Sequence, residues 1–129
     1  MNSLDKFTPY ALAALRIIAA YVFFIHGTDK VFGFPQLFGA QPLGSLFGIA
    51  GIMEVIGGAL IILGLFTRPV AFILSGQMAV AYFYQHVGMN GNLLFPILNG
   101  GEPPVLYTFI FLLLVFAGPG AWALDNKRK

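Results

Sequence analysis

Long apolar runs, broken by short polar stretches, dominate this chain, and four of them approach the length of a membrane span. A helix that crosses a bilayer needs about 20 mostly apolar residues at roughly 1.5 Å each. The first run extends from about Thr8 to His26, with Pro9 suited to a first helical turn. The second extends from about Leu46 to Phe66, and the third from Pro69 to about His86. Between them "TRP" (67–69) predicts a tight turn, because Pro69 holds Arg68 in extended geometry and can itself open a helix. The fourth begins at Pro103–Pro104 and ends near Ala117, where "GPG" (118–120) stops it; Trp122 then suits a membrane interface. Two connections, "GFPQLFGAQPLG" and "GMNGNLLFPILNGGEPP", are long and rich in Gly, Pro and apolar side chains. Loops of that kind are expected to lie over a site and in the interface.

The pattern therefore predicts an all-α integral membrane four-helix bundle, formed by residues 1–129 as a single domain. Composition agrees. Hydrophobic residues make up 58% and charged residues 9% of the chain, against about 45–50% and 25% in a soluble domain. The net charge of +2 comes mostly from "DNKRK" at the end, so nucleic-acid binding has no support. Cysteine is absent, which excludes disulfides, thiolate metal sites and thiol redox chemistry in this chain. No basic segment or small-residue cleavage site precedes the first run, so the first helix is expected to act as its own insertion signal. With an even number of spans, Lys6, Arg68, Lys127, Arg128 and Lys129 fall on one side and only Lys30 on the other. The excess of cations marks the cytoplasmic side. Both termini are then cytoplasmic, and the two long loops face outward.

Polar side chains inside spans are costly, so their positions carry information. At about 100° per residue, Gly51, Glu54, Gly57 and Gly58 share one face of the second helix. Small residues let membrane helices approach closely, which turns Glu54 inward. Arg16 has Ala13, Ala19 and Ala20 around it, and Phe23, Gly27 and Lys30 continue its stripe, with His26 at the edge. Arg16 and Glu54 differ in depth by roughly 6 Å at 1.5 Å per residue, a gap an arginine can cross. Two readings of Glu54 stand open: a structural pair with Arg16 that fixes helix pairing, or a proton-handling or ligand-binding carboxylate. His26 and His86 both end helices at the outer side, and Asn99 and Glu102 sit in the outer loop before the fourth helix. His26, Lys30, Glu54, His86 and Glu102 can thus converge on one outward-facing pocket, suited to proton-coupled chemistry or to hydrogen bonding a quinone carbonyl. No pair has the spacing of a metal site, and no metal or haem is assigned. The aromatic helix ends "FFIHG" and "YFYQH" suit a flat ligand, but packing and interface anchoring account for them better.

Five segments in order, "LRIIAAYVFFIHGTDKVFG" (15–33), "GIMEVIGGALIILGLFTRPVA" (51–71), "MAVAYFYQH" (78–86), "NGGEPPVLY" (99–107) and "AGPGAWALD" (117–125), resemble the DoxX family of small membrane proteins. Ala123 stands where the family often has serine. The resemblance implies a four-helix fold in the bacterial inner membrane and a link to membrane redox chemistry. Family motif positions map onto Arg16, His26, Gly27, Lys30, Glu54, Arg68, His86 and Glu102. The resulting expectation is a multi-pass component of a redox system that binds a quinone or similar small molecule. Glu54, His26 and His86 would handle protons, with Lys30, Arg16, Tyr82, Asn99 and Glu102 at the ligand. The chain itself carries no cofactor motif, so electrons would come from a redox partner protein or a soluble donor. A non-catalytic assembly or anchor subunit is the alternative, and a small-molecule or proton carrier, working as a homo-oligomer, a weaker third.

Overall fold

Apolar runs bounded by Gly and Pro become helices in a computed structural model that describes residues 3–127, with no strand among the described residues. A 3₁₀ turn at Ser3–Phe7 leads into α1 (Thr8–Phe32), followed by α2 (Leu46–Leu63) and α3 (Thr67–Ala81). α3 continues directly through a π-helical turn (Tyr82–Val87) and a last short turn (Gly88–Asn90). After the turn Pro96–Asn99, α4 covers Glu102–Ala117, and Leu124–Lys127 form a final 3₁₀ turn.

The boundaries differ from the sequence expectation in informative places. α1 runs past His26 to Phe32 because the polar side chains beyond His26 are satisfied while still helical. The Thr28 hydroxyl donates to the carbonyl of Ile25. The Asp29 carboxylate accepts the N–H groups of Leu37, Phe38 and Gly39 from the following loop. The helix ends only at Gly33, whose left-handed φ of 76° suits glycine and whose N–H donates to the carbonyl of Asp29. α2 stops at Leu63, short of Phe66, because Gly64 turns the chain with φ 68°. "TRP" is therefore the first turn of α3 and not a loop: there Pro69 loses no intrahelical bond. The Asp125 carboxylate accepts the N–H groups of Phe66 and Thr67 and caps this helix.

α1 packs along α2, and α3 along α4, with a smaller α2–α3 contact. The α1–α2 seam is closed by glycine: a β-carbon on Gly27 would sit 2.7 Å from the backbone nitrogen of Val55, and one on Gly51 2.7 Å from Cβ of Lys30. The inward face of α2 is Gly48, Gly51, Glu54, Gly57, Gly58 and Ile61, the face the periodicity selects. Rings of Phe23, Tyr107 and Phe111 meet edge-on or stacked, with centroids 5.0–5.9 Å apart, above Ile61, Leu74 and Leu114. Outside, large apolar side chains such as Phe72 (66% exposed), Phe109 (63%) and Phe116 (74%) face away from the protein, while Arg16 and Glu54 are buried. Such a distribution suits a lipid solvent and not water. Two helical stretches, Ser3–Phe32 and Leu46–Leu63, are long and apolar enough to cross a membrane; Glu102–Ala117 is a shorter apolar helix.

Candidate functional site

α1 and α2 bring a cation and an anion together at their glycine seam. Lys30 lies one turn beyond His26 on α1, and its ammonium donates to both oxygens of Glu54, each at 2.9 Å. Glu54 is almost fully covered and Lys30 is a fifth exposed. From α3 the Gln77 amide donates to Glu54 Oε2 (3.1 Å) and reaches the Ala50 carbonyl (3.4 Å). Both contacts are acceptors, which fixes the orientation of that amide and leaves Gln77 Oε1 buried without a partner. Close approach of the helix backbones at Gly27 and Gly51 is what lets the short Glu54 side chain meet Lys30.

This triad forms part of the wall of a chamber of about 480 Å³. His26, His86 and Tyr107 add polar groups, Phe23, Phe47 and Met78 supply apolar wall, and Leu37 and Phe38 come from the loop that Asp29 anchors. A mainly apolar chamber with a few converging polar groups is the usual form of a small-molecule site. Among the described residues, no group of three or more His, Asp or Glu side chains is arranged to hold a metal ion.

Behind the chamber wall, a second network fixes His86. The His86 Nδ1 lies 3.2 Å from the carbonyl oxygen of Asn99. The Asn99 side chain donates to Tyr82 Oη, Gly91 O and Asn92 O and accepts the N–H of Gly101. Tyr82 in turn donates to the Leu93 carbonyl at 2.5 Å. His86 itself lies in the π-helical turn, where the N–H of Gly88 bonds to the carbonyl of Phe83. Such turns recur at functional sites.

At the opposite end of α1 the buried Arg16 holds the segment that follows α4. Its guanidinium donates to the carbonyl oxygens of Pro119, Ala121 (3.0 Å) and Trp122 (3.0 Å). The Arg16–Glu54 pair considered from depth alone is thus not the one formed. The carbonyls of the segment after α4 lie within reach of Arg16, and Lys30 lies within reach of Glu54. Trp122 is exposed and its ring lies 5.3 Å from that of Tyr10.

Of the residues expected at one pocket, His26, Lys30, Glu54 and His86 do line one chamber. Four others lie outside its lining. Arg16 is at the far end, Tyr82 and Asn99 are buried in the network behind His86, and Glu102 is exposed at the start of α4. There Glu102 faces the positive end of the helix dipole, while Pro103 and Pro104 face the chamber. Gln77 and Tyr107 are chamber residues that the sequence reading passed over. For Gln77 the signal was present: an amide within "FILSGQMAVA" is as costly in a span as the carboxylate that drew notice.

Comparison with known proteins adds relatives along the whole chain. The DoxX family model matches residues 11–87, a span that contains every polar chamber residue named above except Tyr107. An uncharacterized protein of Haemophilus influenzae (strain ATCC 51907 / DSM 11121 / KW20 / Rd) is 54% identical over 130 residues, which is 98% of this chain and 97% of that protein. Inner membrane protein YphA of Escherichia coli (strain K12) is 33% identical over 144 residues, covering 98% of this chain and all of YphA (100%). No solved structure matches the chain.

Proposed function

The chain belongs to the DoxX family of membrane proteins, and on that basis we propose that it is a multi-pass component of the bacterial inner membrane that binds a quinone or similar small molecule. In this reading all four long helices cross the bilayer, with α3 completed by its π-helical extension. Both termini then face the cytoplasm and the chamber faces outward. The name of the YphA relative and the cation count on the side of the termini support that location. One observation carries the ligand reading. An ion pair, Lys30–Glu54, lines a mainly apolar chamber of a size for a quinone headgroup, beside two imidazoles. Lys30 would offset negative charge on a reduced quinone, and Glu54, His26 and His86 would exchange protons with it. Electrons would pass to or from a redox partner protein.

The test is to purify the protein in mild detergent and assay the organic extract for quinone. Wild type should retain a quinone, and Glu54→Gln should retain less. A correctly folded wild type that neither carries nor takes up quinone would sink the proposal.

A further inference from the structure

His86 is the chamber residue whose proton is fixed by its surroundings. A carbonyl oxygen only accepts hydrogen bonds, so the contact between His86 Nδ1 and Asn99 O requires the proton on Nδ1. On a neutral ring the lone pair is then on Nε2, which has no partner among the described residues. The Asn99 carbonyl cannot easily turn away. Its side chain is held by four hydrogen bonds, to Tyr82 Oη, Gly91 O, Asn92 O and Gly101 N, and the residue is 2% exposed. A neutral His86, whose ring belongs to the chamber wall, therefore has its hydrogen-bond acceptor at Nε2.

Among the other polar groups of the wall, Lys30 is a donor with one N–H left after Glu54 takes two. That donor serves a carbonyl oxygen or a hydroxyl oxygen alike. An acceptor does not: it bonds a hydroxyl and leaves a carbonyl unsatisfied. We infer that the chamber selects the reduced, hydroxyl-bearing form of its ligand, a quinol over the corresponding quinone, through a hydrogen bond from the ligand hydroxyl to Nε2 of His86. Asn99 acts as a positioning residue that sets the tautomer and never touches the ligand. This inference rests on the quinone reading of the chamber and adds its redox-state preference.

The experiment titrates the purified protein anaerobically with a short-chain benzoquinone and, separately, with its quinol. The quinol should bind at least roughly tenfold more tightly, the value of one hydrogen bond to a desolvated acceptor. For a two-electron couple that raises the midpoint potential of the bound quinone by about 30 mV. In His86→Phe the preference for the quinol should vanish. Ring ¹⁵N shifts of wild-type His86 should report a protonated Nδ1, a readout that needs no variant to fold. Equal affinity for both forms, tighter binding of the quinone, or a protonated Nε2 would overturn the inference and leave the quinone reading standing. Binding of neither form would defeat that reading, and the inference with it.

Discussion

Replacing Lys30 by methionine isolates the energetic role of the ion pair. Glu54 would lose both ammonium hydrogen bonds, each 2.9 Å, and keep only the Gln77 amide at 3.1 Å. Two unit charges about 3 Å apart attract by roughly 5–6 kcal/mol at an effective dielectric of about 20. Most of that attraction offsets the cost of taking the charges out of water. The asymmetry is what the substitution reads: removing one partner of a buried pair costs about 3–5 kcal/mol, because the survivor stays buried and uncompensated. Glu54→Gln should be milder, about 1–3 kcal/mol, since Lys30 is a fifth exposed to the chamber and its ammonium can recruit water. In the double variant Lys30→Met/Glu54→Gln neither charge remains, so it should be more stable than the sum of the singles predicts, by about 2 kcal/mol. Equilibrium unfolding in mixed detergent micelles, followed by far-UV circular dichroism, measures all corners of this cycle. Additivity within about 0.5 kcal/mol would mean that the two side chains do not interact energetically, and the argument would fail.

Two further predictions test the packing that holds the pair in place. Gly27→Ala puts a methyl group 2.7 Å from the Val55 backbone, which cannot yield, and should lower stability by about 1–3 kcal/mol; Gly76→Ala meets nothing within 4 Å and should leave stability unchanged or raise it by up to about 1 kcal/mol in the same unfolding assay. Arg16→Met removes a cationic donor from three carbonyls of the segment after α4 and should cost about 3 kcal/mol or more; the segment should detach, read as increased protease cleavage near Trp122 with Gly27→Ala as the control that loses stability elsewhere.

The helices and their inward faces were legible because lipid imposes a strict pattern. Glu54 among Gly51, Gly57 and Gly58 points inward on periodicity alone, and it is buried. The partner of Glu54 was not legible, for a geometric reason. Depth along a helix axis puts Arg16 within reach of Glu54, but a segment 103–106 residues away in sequence supplies the carbonyls that occupy Arg16. The end of α1 was misjudged because "GTDK" reads as loop from composition. Asp29 is a poor helix former whose side chain finds its bonds in the loop beyond, at Leu37, Phe38 and Gly39. That extension matters to the site, since it sets Lys30 on the helix opposite Gly51. Residue type alone suits Asn99 to a ligand contact, but an asparagine in a Gly-rich loop is as well suited to tying the loop's own backbone, as its bonds to Gly91, Asn92 and Gly101 do.

Arg16 and Lys30, the two cations of α1, divide along a line that bears on what Glu54 does. Arg16 is sealed, 0% exposed, and its charge is met by carbonyl dipoles of a segment it pins down. A guanidinium with several fixed donors suits that task, since its two terminal nitrogens reach several carbonyls at once. Lys30 and Glu54 are arranged otherwise. Helix pairing alone does not require them, because a hydrophobic pair of similar volume would join α1 to α2 at least as well. Their ion pair is also incomplete. One ammonium N–H is left over, Gln77 keeps a buried oxygen with no partner among the described residues, and all three residues contribute to the chamber wall. A pair kept only for structure has no reason to border a chamber, where its desolvation is least complete and its geometry least constrained. A pair kept for a ligand must border one. Its place in the chamber wall is the geometric support for the ligand role proposed for Glu54.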